Sequence, residues 1–371
     1  MRSLNNTGRH ISKWQVVFVL PNINLKCPIE TEYVALVQFD DPRVQKLQAS
    51  HKNITVLTKN FTDQFGRKVH PTVMLCRGDA PQSSRTQEAL VGFRNAVAIS
   101  SIINGWIIRL AVSNTMKPLW SEYFDIYPIY PGRDNDLIPI SPAVISGGNP
   151  LKAFRGQTSP NLVHTIEILP DDGKGLRELL LNQWKRRYVD GKTASRKTRV
   201  LFRSLEVAYQ ASTTPSYNIA SLYDYGTNVG LWVSAIEILA HLYSKKVNVE
   251  KVMNLLNKYK WNGKELNSKR YPWHYKGRKR QIRLIQLFYW ELYQARNDFF
   301  HGNAITHRRL FLSNNTQKPQ LIALAPLIYR TALIAYLIAY LSPAPQKGVL
   351  AESYDPIGSI LIKRALTKVI S

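Results

Sequence analysis

LIALAPLIYRTALIAYLIAYL, residues 321–341, is the stretch on which the fold turns. It is almost wholly apolar and long enough to span a bilayer. Two residues inside it argue otherwise: Pro326, and Arg330, whose charge near the middle of a span costs about 3 kcal/mol even on lenient insertion scales. No second candidate span is evident. The stretch therefore predicts a helix buried inside a soluble helical bundle, with no membrane partner.

The residues leading up to it keep a helical period. Apolar positions recur at 3.6-residue spacing over 175–188, 195–211, 228–243, 249–259 and 278–301, and again over 356–370. Gly302 directly follows His301, where a left-handed C-terminal cap belongs. Before residue 175 the pattern changes. Short apolar runs at 15–20, 33–39, 54–57, 72–76 and 123–129 are separated by turn formers such as Pro21, Asp40-Asp41-Pro42 and Gly66, a strand signature. One helix interrupts them over 83–103, with Leu90, Phe93 and Val97 at helical spacing. Residues 128–170, rich in Pro, Gly and Ser, read as a long connection. The expectation is an α+β chain: a mixed, β-rich N-terminal domain over 1–175, then an all-helical domain over 176–371.

With 44% hydrophobic residues in 371, the chain has material for a large core, which excludes a disordered protein. Its 50 Lys and Arg against 25 Asp and Glu favour a polyanionic partner. The excess is uneven: residues 1–175 carry 19 basic and 14 acidic side chains, residues 176–371 carry 31 and 11. Two dense clusters lie in the second part. One runs from Lys185-Arg186-Arg187 through Lys192 to Arg196, Lys197 and Arg199. The other runs from Lys269-Arg270 through Lys276, Arg278, Lys279 and Arg280 to Arg283, interleaved with Tyr271, Trp273, His274 and Tyr275. Cations suit a phosphate backbone, and aromatic rings can stack on unpaired bases. Two cysteines, Cys27 and Cys76, build neither a disulfide framework nor a tetrahedral zinc site, which fits a reducing cytoplasm. The apolar run 16–20, ended by Pro21, is too short for an export signal.

Three polar groups with distinct chemistry meet in LYQARNDFFHG, residues 292–302. His301 can take and give a proton near neutrality. Arg296 is a permanent cation able to hold a phosphate through two parallel bonds. Asn297, four residues before His301, shares its helix face and can orient the imidazole or donate to a phosphate oxygen. Arg296 sits five positions before His301, about 140° around an ideal helix, so the two converge only if the helix end loosens or a second subunit brings them together. RNA cleavage needs the 2′-hydroxyl deprotonated, the 5′ oxygen protonated and the pentavalent phosphate stabilised. A His serves the first two steps and an Arg the third. No convincing carboxylate cluster for Mg²⁺ and no cofactor motif stands out, Gly147-Gly148 lacking what a phosphate loop requires. Spacing alone is weak evidence: with 25 Arg and 8 His, about one to two such pairs arise by chance.

The stretch Arg296-Asn297-Asp298-Phe299-Phe300-His301, with Leu292-Tyr293 and Gly302 around it, resembles the Arg-Asn-x-x-x-His motif of the HEPN superfamily, in particular its Apea-like branch. Residues 231–239 look like that family's first core helix, with Glu237 as the acidic residue in its apolar stripe and Arg296 as the obvious partner. The likeness covers roughly residues 200–345 and leaves the N-terminal domain unrecognised. It implies an all-helical bundle and metal-independent endoribonuclease activity without a cofactor. It also implies a homodimer that combines motifs from two subunits, and a place in toxin–antitoxin, abortive-infection or other antiviral systems. Arg296, Asn297 and His301 would be catalytic and Glu237 supporting. Lys276, Arg278, Lys279, Arg280, Arg283 and Arg308 would hold RNA. An antitoxin or trigger protein would be a further partner, acting through the N-terminal domain. The branch paired with nucleotidyltransferase antitoxins has a Tyr two places after the His, where this chain has Asn303, so that mode of regulation does not carry over. The alternative is a non-catalytic RNA- or nucleotide-binding module on the same surface.

Overall fold

The computed structural model describes residues 14–63, 65–112, 118–132, 136–139, 154–155, 165–191, 195–215, 220–242, 248–261, 267–341 and 363–367. The chain is α+β and divides into two compact units, Met1–Leu90 with Tyr123–Pro170, and Val91–Glu122 with Asp171–Ser371.

The first unit is built on β1 (Trp14–Leu20), β2 (Ile23–Leu25), β3 (Ile29–Glu30), β4 (Val34–Val37), β5 (Phe61–Thr62) and β6 (Thr72–Arg77). An antiparallel sheet runs in the order β1-β6-β4-β3. Helices α1 (Pro42–Ser50) and α2 (Lys52–Lys59) cover it, and Val19, Val37, Leu47, Leu57, Phe61 and Val73 share one core. Three later strands join this unit in pairs: β7 (Ile129–Pro131) with β8 (Leu137–Pro139), β9 (Phe154–Arg155) with β5, and β10 (Ile166–Ile168) with β2. Residues 54–57, expected as a strand, lie in α2. Their buried Ile54, Leu57 and Thr58 fall at i, i+3 and i+4, a spacing that four apolar-rich residues cannot separate from a buried strand. The Asp40-Asp41-Pro42 turn signal is a helix start: Asp41 accepts from the Arg43 amide at 2.9 Å and Pro42 takes the first helical position.

The second unit contains α3 (Gln87–Ala111) from Val91 onward, α4 (Lys174–Tyr188), α5 (Arg196–Ala211), α6 (Leu222–Ala240) and α7 (Val249–Asn257). A hairpin of β11 (Tyr271–Tyr275) and β12 (Arg278–Ile282) follows, then α8 (Leu284–Phe300) and α9 (Leu321–Tyr336). Helix α3, which sequence position assigned to the strand-rich domain, packs here. Phe93 meets Trp184 edge to face at 5.5 Å, and Arg94 donates to the Tyr209 hydroxyl at 2.7 Å. Gly173 lets α4 start against α3: its φ is +65°, and a Cβ there would stand 2.4 Å from the Ser100 carbonyl oxygen.

Residues 278–282, expected as the start of a long helix, are a strand, so the helical domain is not all-helical. Lys276 and Gly277 both have positive φ, 49° and 76°, the signature of a tight two-residue hairpin turn. Helix α9 is buried on every side and winds on as a π-helix over Leu337–Leu341. Within it Arg330 donates to the Tyr259 hydroxyl at 3.4 Å, and Tyr329 shares a 2.9 Å hydrogen bond with Ser204 of α5. A second helix passes the same length and composition test for a span, α3, against the expectation of one. Both are mostly buried within the protein. The helix expected over 356–370 is described only at 363–367, where it is helical, and Lys192 lies outside the described residues.

Candidate functional site

Helices α6 and α8 cross where α6 is smallest. A Cβ on Gly226 or Gly230 would stand 2.3 Å from the ring of Phe299 or Phe300 respectively, so the last turn of α8 lies directly on the α6 backbone. Phe299 is buried, and Phe300 and Tyr223 are large exposed aromatics. Tyr223 and Phe299 are in ring contact at 6.4 Å. The site sits on this crossing.

Arg296 is half-buried, and its Nη1 donates to Asn297 Oδ1 at 3.0 Å. Asn297 therefore meets Arg296, and among the described residues no hydrogen bond joins its side chain to the imidazole. His301 caps α8, exposed, with its amide donating to the Asn297 carbonyl at 3.0 Å. Gly302 follows with φ +73°, the left-handed turn that the sequence predicted. Among the described residues no hydrogen bond joins the His301 side chain to Arg296, and α8 stays helical up to Phe300.

Glu237 is buried, on the face of α6 that α8 covers, which settles its orientation away from solvent. Its Oε1 has no hydrogen-bond partner, and among the described residues no ion pair joins it to Arg296. Burial raises its pKa, and the Arg296 charge opposes that rise. The Tyr289 hydroxyl, also buried and without a hydrogen bond, has its pKa pushed far up by burial, with Glu237 adding to the effect. Glu237, Tyr289 and Arg296 thus form a polar seam inside the helical unit.

Arg309, beside Arg308, makes a structural tie that its place in the sequence does not mark. It is half-buried, its Nε donates to Asp298 Oδ2 at 2.6 Å, and its Nη1 stands 3.5 Å from Glu291 Oε2. Asn303 donates to the other Asp298 oxygen at 3.0 Å. The segment after His301 is thereby tied back along α8. The carboxylate partners of Arg309 lie 11 and 18 residues upstream, across the end of α8 at Phe300, beyond which no helical period continues.

Of the candidate RNA contacts, Lys276, Arg278, Lys279 and Arg280 are exposed on the hairpin, and Arg308 is exposed on a short 3₁₀ turn, His307–Leu310. Arg278 reaches Glu250 at 3.1 Å. Arg283 is different: it is half-buried and donates to the main-chain carbonyls of Asn257 and Tyr259 at 3.3 and 3.0 Å, clamping α7 to the start of α8. The hairpin aromatics turn inward. Trp273 is 2% exposed and packs with Tyr275 against Trp290 of α8, so its ring is not open to a base. Among the described residues no three His, Cys, Asp or Glu side chains gather as a metal site.

No family model, curated protein or solved structure matches the chain.

Proposed function

We propose that the chain is a metal-independent endoribonuclease of HEPN type. The observation that carries this reading is the end of α8: a half-buried Arg296 bonded to Asn297, and an exposed His301 on the last residue before a left-handed turn. In the reaction His301 takes the proton of the 2′-hydroxyl. That oxygen attacks the phosphorus, the 5′ oxygen leaves and is protonated by an imidazolium, and the products are a 2′,3′-cyclic phosphate and a free 5′-hydroxyl. Arg296 neutralises the charge that builds on the phosphate. Because Arg296 and His301 stand five positions apart at the end of a helix that runs to Phe300, the working site combines Arg296 of one protomer with His301 of its partner. The exposed Tyr223 and Phe300 beside the motif are apolar surface that a second copy would cover. The surrounding helical unit holds 35 Lys and Arg against 14 Asp and Glu, a field that gathers RNA. The setting is cytoplasmic, in phage defence or a toxin-like stress response, with an antitoxin or trigger protein acting through the strand-rich unit.

A second reading, an RNA- or nucleotide-binding module without catalysis, is favoured by one observation: among the described residues Arg296 bonds to Asn297 and no hydrogen bond joins it to the His301 side chain. Incubating purified protein with RNA in EDTA, beside Arg296→Ala and His301→Ala, decides between them. The nuclease reading expects cleavage in EDTA and a loss of about 10²–10⁴-fold in each variant. Three proteins that bind RNA and leave it equally intact would establish the binding module, and cleavage abolished by EDTA would end the metal-free mechanism.

A further inference from the structure

Between residues 266 and 290 the chain has seven Lys or Arg and no Asp or Glu. The structure places this charge on a ribbon. Tyr271, Trp273 and Tyr275 occupy alternate positions of β11, and each ring carries a cation: Lys269 stands 5.9 Å from the Tyr271 centroid, Arg280 stands 4.3 Å from Trp273, and Lys276 stands 5.3 Å from Tyr275. All three cations are exposed. Alternate strand positions are about 6.6 Å apart, close to the step between successive phosphates along one nucleic-acid strand. Long basic side chains are normally costly to order, but a ring beneath each charge already restricts it. The turn adds to this. Lys276 holds a left-handed backbone where Asn, Asp or Gly is usual, which sets a cation at the hairpin tip.

The ribbon is also fixed relative to the site. Trp273 and Tyr275 pack edge-on against Trp290 at 5.5 Å each, and Trp290 stacks on Tyr293 at 5.8 Å. Arg296 lies six residues after Trp290, about 9 Å along the helix axis and about 120° around it. We infer that the β11–β12 hairpin is a phosphate-tracking ribbon, which grips the backbone of one RNA strand through Lys269, Arg280 and Lys276 and delivers the strand to Arg296. It reads charge and not bases, because the ring that would stack best, Trp273, is covered. The inference rests on the nuclease reading for its destination, though not for its ligand.

The test uses full-length protein carrying Arg296→Ala, so that RNA stays intact, with and without Lys269→Gln, Lys276→Gln and Arg280→Gln together. Fluorescence anisotropy with labelled 15-mers of oligo(A), oligo(C) and oligo(U) is read across a salt series, and thermal melts check that the variant folds. The expected result is at least a tenfold loss of affinity at 0.15 M salt. The slope of log K against log salt should flatten by about 2, the value for three lost phosphate contacts on a single strand, with the three homopolymers bound within threefold of one another. A folded variant with unchanged affinity and slope overturns the ribbon, as does a preference above tenfold among homopolymers. So does a variant that loses binding to phosphatidylglycerol vesicles while keeping RNA. Cleavage is scored separately on the protein with Arg296 intact, so failure of the nuclease reading leaves this outcome legible.

Discussion

The first turns of α8 are held by aromatic rings and backbone carbonyls: Trp290 lies against Trp273 and Tyr275, and Arg283 bonds to the end of α7. Its last turn is held by two glycines of the opposite helix and ends in an exposed histidine. One helix therefore carries a packed end and an open end. Packing fixes where the helix lies, and the open end carries the polar groups of the proposed site. Polar side chains at the open end, Arg296, Asn297 and His301, add little to stability, and the same substitution made at the two ends should separate the two roles.

The largest contrast is between Trp273→Ala and His301→Ala. Removing the buried Trp273 ring should cost about 3–5 kcal/mol in urea unfolding, whereas His301→Ala, at an exposed cap, should stay within about 0.5 kcal/mol. Equal losses at both ends would break the comparison. A finer contrast lies within the open end. Gly226→Val drives a methyl into the base of the buried Phe299 ring and should destabilise by about 1–3 kcal/mol. Gly230→Ala meets only the far edge of the exposed Phe300, which can swing away, so its effect should stay below about 1 kcal/mol. Thermal melts of the two variants side by side measure the difference.

The smallest effect is a pH dependence from Glu237. Burial raises its pKa in the fold, so folding favours the neutral acid more than the unfolded chain does. Stability from this group is fully present below the ordinary carboxylate range and is lost as pH rises through the elevated native value. Glu237→Gln, which cannot ionise, should match wild type near pH 4 and melt at progressively higher temperature than wild type towards pH 8. Adding Arg296→Ala to the wild-type background should steepen the wild-type loss, since the Arg296 charge opposes the shift. Parallel melting curves for wild type and Glu237→Gln would remove Glu237 from the seam.

Legibility in the sequence followed from how local the determining contacts are. Helix α9 was readable because an unbroken apolar run with an embedded Arg330 has one economical home, and Glu237 because a carboxylate in an apolar stripe must face inward or break the stripe. Strand β12 was not, since Arg278, Lys279, Arg280 and Gln281 have no alternation of polarity and abut a helix; the determining element is the Lys276-Gly277 turn. The place of α3 was hidden for another reason. Its partners Trp184 and Tyr209 lie about ninety residues or more downstream, and no local period encodes them. At the site, Arg296 and His301 were legible by chemical type, while Arg309 acts through a loop that only the folded chain closes.

The chain passes between its two units three times, at residues 90/91, 122/123 and 170/171. The order of synthesis is therefore not the order of assembly. A nascent α3 emerges with Phe93 and Arg94 unsatisfied and waits for α4 and α5 before it can be covered, which gives a chaperone a defined interval in which to act. A fragment begun at residue 176, where the helical pattern starts, would leave out one of the longest helices of its own core.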